Sequence, residues 1–597
     1  MDRLLHHLKN NETAKMNSKA LRYNLFIAGA ALLLFVPFLG AVHLFDWDEI
    51  NFAECAREML VTGDYFSVKI NFQPFWEKPP LFIWMQALSM NIFGINEFAA
   101  RLPNAIAGCL TLLVFFNIGR KLVDEKFGLI WALVYAGSFL PHFYFKSGII
   151  DPWFNLFIFS GIYYFILFSN NNVQSQTNSK STKLLLFSAL FIGLGVLTKG
   201  PVAVLVFGLC IGVYWIIKRF QPVISIKQMF IFAGTVAFVG GLWFLMLALT
   251  GNAAIIKEFF VYQVRLFNTR DAGHGGPFFY HWIVLLIGCF PLSVFALRAF
   301  NLVQRAENGE RRKTSIFQLL TPKSKLSTPD SQLISDTPFQ KHFKLWMMIL
   351  FWVVLILFSI VKTKIVHYSS LCYFPLSFLA AYAVHKLMIA ELVWKKYTGI
   401  LLMVIASLIG IAISALPFLD KYKQQIISAD IIKDKFAVEN LKANVNWTGY
   451  EWLIGLALIV GVGGMLVLIN RNKVKEGMIG IFIISLLAVN MASLVVAPRI
   501  EKYSQGAAIE FYEYLQNKDC YVETLGFKSY AHLFYSHKKE QANKNSYTLD
   551  WLLTGEIDKP TYFVSKITSA EEVIKGYPDL KEIYRKNGFV FFLRKMK

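Results

Sequence analysis

Long stretches of this chain carry almost no charge, and they recur from one end to the other. Residues 25–40, 346–361, 399–416 and 478–496 are nearly unbroken apolar runs. Each is about as long as a helix needs to cross a hydrocarbon core of roughly 30 Å. A single run could be the core helix of a soluble protein. Many in series cannot, because a soluble fold must turn a polar exterior to water.

The polar residues between the runs differ in kind from loop to loop. Arg3, Lys9, Lys15, Lys19 and Arg22 precede the first run and place that end in the cytoplasm by the positive-inside rule. If each run crosses once, the loops holding Arg120 and Lys121, Lys183, Lys218 and Arg219, Arg305 to Lys325, Lys386 to Lys396, and Arg471 to Lys475 fall on that same side. This regularity predicts about thirteen spans. A basic start before an apolar run also fits a signal peptide, but no small-x-small cleavage site follows, so an uncleaved first span is expected.

Three regions result: a cytoplasmic N-terminus at 1–23, a transmembrane domain at 24–497 whose first outer loop covers 44–99, and an outer soluble domain at 498–597. In the last, 509–515 and 569–586 have helical patterns, whereas 520–524, 561–564 and 589–593 alternate like strands. A small α/β domain of about a hundred residues is expected there.

Composition agrees: 55% of the 597 residues are hydrophobic and the mean hydropathy is +0.47. The net charge of +21 does not call for nucleic acid. Lys and Arg gather in inner loops and beside anionic headgroups, and no basic stripe with interleaved aromatics is present. Of six cysteines, Cys109, Cys210, Cys289 and Cys372 sit in apolar runs, where a thiol acts as a small hydrophobe. Cys55 and Cys520 lie outside them, and spacing does not say whether they pair.

Charged and polar residues without a topological role sort to the outer side. They are Asp46, Asp48 and Glu49; Glu77 and Lys78; Asp151; Lys199; Arg265, Arg270 and His274; and Lys362, Lys364, His367 and Tyr368. Ionisable groups at membrane depth are expensive and usually kept for function. Carboxylates and cations on one face suit a phosphate ligand together with an acid–base step.

The first outer loop is the most informative. From Asp48 it runs into an amphipathic helix with Ala53, Ala56, Met59 and Leu60 on one side and Glu54, Arg57 and Glu58 on the other. Such a helix is expected to lie in the membrane interface plane. Asp48 fits two roles, a helix N-cap or a base at a cavity mouth; Asn51 with Glu54 could form a capping box instead. Glu77-Lys78 stands before Pro79-Pro80, residues suited to a helix start. The pair is either a surface ion pair or a phosphate ligand at a helix N-terminus.

These residues together resemble a family. Trp47-Asp48-Glu49-x-x-Phe52-Ala53-Glu54-x-x-Arg57-Glu58-Met59, Gly63-Asp64-Tyr65, Glu77-Lys78-Pro79-Pro80 and Asn96-Glu97-Phe98-Ala99-Ala100-Arg101-Leu102-Pro103 are similar to the first loop of GT-C glycosyltransferases. The group concerned holds the lipid A aminoarabinose transferase and the dolichyl-phosphate-mannose protein mannosyltransferases. Later matches keep the family order: Asp151-Pro152, Leu197-Thr198-Lys199-Gly200-Pro201, His274-Gly275-Gly276-Pro277-Phe278-x-Tyr280 and Lys364-x-x-His367-Tyr368. The resemblance covers residues 20–385.

The resemblance implies an all-α polytopic GT-C membrane protein of a bacterial inner membrane. It would use an undecaprenyl monophosphate sugar and act at the periplasmic face. Asp48 would be the catalytic carboxylate with Glu49 beside it, and Asp151 would help shape the pocket. Lys78 and Lys199 would hold the donor phosphate, Tyr368 would line the site, and Glu77, His274, Lys364 and His367 would complete it. Arg265 and Arg270 join the donor-binding set by charge and loop position. Asn51 stands where many aminoarabinose transferases carry Arg, which leaves the sugar and the acceptor (lipid, glycan or protein) open.

Transfer from a monophosphate lipid inverts the anomeric centre and needs no nucleotide site; neither a Rossmann glycine run nor a Walker pattern occurs. His274, His281 and the carboxylates leave a divalent metal open, but none is assigned. The rival of a different class is a multi-span transporter or flippase of a lipid-linked or anionic substrate. Transport sites lie near mid-membrane between repeated halves, whereas no repeat is evident here and the charges gather at one rim.

Overall fold

The structure, a computed structural model, describes residues 2–173, 179–268, 275–300 and 336–596, with side chains over 18–170, 181–265, 275–300 and 336–596. Among these, 10 helices are long and apolar enough to cross a membrane, from Ser18–Phe35 to Val474–Lys502. The pair Tyr280–Gly288 and Leu292–Phe300 is apolar enough to make an eleventh but turns through 114°, with Pro291 removing a backbone donor at the break.

The other two of the expected thirteen crossings fall on shorter or broken helices. The third is two short helices, Glu125–Ala136 and Phe139–Tyr144, and the sixth is the 16-residue Val202–Ile217. Gly200 (φ 87°) and Pro201 cut the latter off from the helix before it.

Aromatic packing joins the bundle. Phe115 stacks on Trp131 at 4.6 Å, and the Trp131 indole donates to Ser377 Oγ at 2.9 Å, tying residues far apart in the chain. Buried Trp and Tyr commonly keep such a polar partner.

The first-loop helix Asp48–Thr62 departs from expectation. Its polar face is not wet, since residues Glu49 to Met59 are all buried. Its polar side is covered by the tail helix Ala531–Tyr535 and its other side by Leu81–Phe93. Arg57 and Glu54 bond each other twice at 2.6 Å, and Glu58 accepts from Phe72 N–H at 2.8 Å. Burial of Arg57 and Glu54 is tolerable because their charges are paired.

The tail holds a four-stranded sheet in the order Tyr521–Leu525, Thr561–Lys566, Phe589–Arg594, Lys581–Lys586. The first pairing is parallel and the other two antiparallel. The helix expected over 569–586 is corrected to Ile567–Gly576, and Lys581–Lys586 is a strand. Pro578 bars a continued helix. Asn587 and Gly588, both at positive φ (46° and 78°), make the tight hairpin turn that this dipeptide favours.

The tail sits directly on the first loop. Leu44 N–H donates to Tyr535 Oη at 2.7 Å, and Gln505 Nε2 returns a bond to Leu44 O at 2.7 Å. Trp47 stacks on Tyr530 with centroids 6.4 Å apart. Cys55 and Cys520 are both free.

Candidate active site

Four helix ends and one short 3-10 turn converge. Trp47 occupies the N-cap of Asp48–Thr62 and no side chain caps that end. Asp48 is thus released from the capping role, and its Oδ2 lies 3.2 Å from His367 Nε2. His367 and Tyr368 come from the 3-10 turn Val366–Cys372.

Asp151 opens the helix Asp151–Val173 and Lys199 closes Ser179–Lys199. Lys199 Nζ donates to Asp151 Oδ1 at 2.6 Å and lies 5.5 Å from the ring centres of both Tyr368 and Phe154. Ser370 Oγ approaches the same carboxylate at 3.4 Å and accepts from Asn155 Nδ2 at 2.9 Å. A β-carbon at Gly200 would come within 2.7 Å of the Phe259 ring, so this turn needs glycine for space as well as for its φ.

Lys78 precedes the start of Leu81–Phe93, whose N-cap is Pro80. Its Nζ lies over the Tyr262 ring, 5.2 Å from the centre. Tyr262 Oη donates to Glu77 Oε2 at 3.0 Å, and Gln263 Nε2 reaches Glu77 O at 3.4 Å. Burial holds the Lys78 ammonium below the ordinary lysine range; Glu77 and Asp48 oppose that shift and Lys199 adds to it. An anion bound beside Lys78 would relieve the cost of its charge.

Most of these side chains line one cavity of ≈ 100 Å³. One part of its wall is polar, with Asp48, Glu77, Lys78, Asp151, Lys199 and His367, while Phe52, Phe154, Val202, Val206 and Leu371 make the other part apolar. Chemically it can take an anion joined to a hydrocarbon chain, and it presents a carboxylate beside that anion.

The expected site residues divide accordingly. Asp48, Glu77, Lys78, Asp151, Lys199, His367 and Tyr368 all line the cavity. Glu49, expected beside Asp48 as a catalytic group, does not. It accepts from Arg101 Nη2 at 2.8 Å, Arg101 Nε at 3.1 Å, Phe45 N–H at 2.8 Å and Gly148 N–H, so it anchors the loop. Lys364 also turns away, its Nζ donating to the carbonyls of Phe358, Ser359 and Val361 at 2.6–2.9 Å and capping Pro338–Ile360. Arg265 lies over the Tyr262 ring at 5.1 Å, outside the lining. Arg270 and His274 lie outside the described residues.

Trp47, Asn155, Tyr262, Gln263 and Ser370 belong to the site without having been expected. Asn155 had a signal, a lone amide one helical turn after Asp151 in an apolar run. Among the described residues, no three of His, Cys, Asp and Glu converge as a metal site, and His281 is engaged with Ser369 Oγ at 3.1 Å.

Residues 77–262 match the family model described as dolichyl-phosphate-mannose-protein mannosyltransferase. The chain is 26% identical over 370 residues, 61% of its own length, to the undecaprenyl phosphate-alpha-4-amino-4-deoxy-L-arabinose arabinosyl transferase 1 of Proteus mirabilis. A relative with that activity in its name, from an Enterobacter species, is also 26% identical over 61% of this chain. The aligned part spans 60% and 59% of those two relatives. In three dimensions the chain resembles ArnT from Cupriavidus metallidurans bound to undecaprenyl phosphate, with a TM-score of 0.71, 15% identity, and coverage of 96% of this chain and 98% of that one. Its apo state gives a TM-score of 0.70 at 16% identity. The motifs of the first loop and the fold of the whole chain thus point the same way: this is a polytopic membrane protein with the GT-C architecture of the aminoarabinose transferase.

Proposed function

We propose that the protein transfers a sugar from a polyprenyl monophosphate, undecaprenyl in a bacterial inner membrane, to a lipid, glycan or protein acceptor at the periplasmic face. The observation that carries this is the sharing of one cavity by Asp48, Lys78, Lys199 and an apolar wall. The lysines suit a phosphate and the wall suits its hydrocarbon tail. The relatives named for an undecaprenyl phosphate donor support the donor class.

In the proposed step an acceptor oxygen forms a bond to the anomeric carbon while the bond from that carbon to the phosphate oxygen breaks. The polyprenyl phosphate leaves with the electron pair, and attack from the opposite side inverts the centre. Lys78 and Lys199 stabilise the charge that develops on the leaving oxygen. Asp48 takes the acceptor proton if the acceptor is a hydroxyl, and orients the acceptor if it is already ionised. His367 positions Asp48, and Asp151 positions Lys199; both act through another residue.

Reconstitution in liposomes with a labelled undecaprenyl-phosphate sugar, alongside lipid analysis of cells with and without the protein, tests this. A polyprenyl-phosphate sugar should accumulate in the cells lacking it. An unchanged lipid pool with no release of undecaprenyl phosphate in liposomes would reject the proposal.

A further inference from the structure

Asp48 lines the active-site cavity, but the next residue, Glu49, lines a different one of ≈ 40 Å³. Phe45, Phe143, Ser493 and Ala497 wall both this smaller space and a groove of ≈ 550 Å³, so the two adjoin. The groove runs between Tyr280–Gly288, Lys396–Lys421 and Val474–Lys502, all within membrane-crossing parts of the chain. Apart from Ser493, its lining is apolar.

The smaller space is the polar end, and nearly all its polar groups are already engaged. Glu49 is saturated by Arg101 and two backbone donors. The remaining Arg101 donors reach the carbonyls of Leu39, Val42 and His43 at 2.6–2.9 Å. Ser147 and Ser493 bond helix carbonyls. Lys146 is the exception: half-buried, it lines this end, and its Nζ has no carboxylate or carbonyl partner among the described residues. An unpaired cation at membrane depth is expensive and is usually met by something outside the chain.

We propose that this groove is a binding site for an anionic phospholipid of the surrounding bilayer, its phosphate on Lys146 and an acyl chain between Ile287, Ile409 and Val489. Charge complementarity selects an anion, the apolar length selects a lipid, and the bilayer presents phospholipid there in excess. The donor phosphate has its own cations, Lys78 and Lys199, in the separate cavity that Asp48 lines.

The test uses the purified, delipidated full chain with dioleoyl phosphatidylglycerol or dioleoyl phosphatidylcholine as probes, followed by native mass spectrometry and thermal unfolding. The wild type should retain phosphatidylglycerol about tenfold more tightly, because phosphatidylcholine carries a choline cation beside the same phosphate and has no net charge to complement Lys146. Lys146→Gln should abolish the preference and Lys146→Arg should keep it. Ala412→Phe, at an exposed groove position, should weaken both lipids. Equal retention of the two probes, a preference that survives Lys146→Gln, or unaltered binding in Ala412→Phe overturns the proposal. So does displacement of phosphatidylglycerol by undecaprenyl phosphate that depends on Lys146, since the groove would then belong to the donor.

Discussion

Asp48 Oδ2 and His367 Nε2 face each other at 3.2 Å across the cavity, joining the first outer loop to a turn more than three hundred residues later. The contact leaves Asp48 free of any capping duty, because Trp47 holds the cap position and no side chain bonds that helix end. A carboxylate held by an imidazole at the wall of a half-apolar cavity is oriented for an incoming acceptor.

Asp48→Asn should therefore insert and fold normally while transfer falls by about 10² to 10⁴, the range for a lost general base. Asp48→Ala should likewise leave stability intact, without the cost of about 1 kcal/mol that a lost N-cap brings. Thermal unfolding and a reconstituted transfer assay read the two effects separately. A smaller rate loss in Asp48→Asn would mark an acceptor that is already ionised, such as a phosphate.

The two lysines should behave differently. Lys78 has no carboxylate within ion-pair distance among the described residues, so Lys78→Ala should raise the donor KM by the loss of about 1.5–3 kcal/mol with stability unchanged. Lys199→Ala strips the buried Asp151 of its ion pair and should also destabilise the fold, by about 3–5 kcal/mol. Adding Asp151→Ala should restore stability but not activity. Recovery of activity in that double variant would remove Lys199 from the donor site.

Glu49→Gln should fail through folding. It leaves the buried Arg101 guanidinium facing a neutral partner, a loss of about 3–5 kcal/mol. Protein yield and the unfolding midpoint should drop together, while the surviving fraction keeps an ordinary donor KM. A stable but inactive Glu49→Gln protein would return Glu49 to a direct chemical role.

Glu58 gives a pH signature. Burial, with the neighbouring Glu54, pushes its carboxyl up to about 9 from 4.5. Between those two values the folded protein holds a proton that the unfolded chain has released, so stability falls as pH rises through that window. Glu58→Gln carries no titrating proton and should flatten this part of the profile. Unfolding midpoints measured from pH 5 to pH 9 would show it; parallel profiles for the two proteins would mean that Glu58 is ionised in the fold.

Sidedness is testable independently. The tail packs on the first loop through Leu44, Tyr535 and Gln505, so single cysteines placed at Asp519 and at Tyr65 should both be labelled by an impermeant reagent from the periplasmic side. Labelling of the two from opposite sides would rule out the packed arrangement and the proposed orientation of the cavity.

Local signals agree with the structure. The apolar runs became helices, the paired prolines Pro79 and Pro80 stand at a helix start, and the lysines and aspartates singled out at span ends mostly line one cavity. Most differences between expectation and structure share a cause: they depend on a partner distant in sequence. Glu54, Arg57 and Glu58 looked like a wet helix face until the tail helix Ala531–Tyr535 was found to cover it. The strand at Lys581–Lys586 was a local miss, because Asn587-Gly588 was a hairpin signal in plain sight.

By itself the sequence determined that this is a membrane protein and which ionisable residues stand at the ends of its apolar runs. Those properties follow from the cost of placing charge in hydrocarbon, which each residue incurs wherever its partners are. Only the tertiary structure decided between neighbours of like chemistry. Asp48 faces the cavity and Glu49 faces Arg101; Lys199 faces Asp151 and the cavity, whereas Lys364 caps a helix. Direction is settled by contacts far apart in the chain, because a side chain one residue along a helix points about 100° away, and only the packed neighbours determine which of those directions is the site.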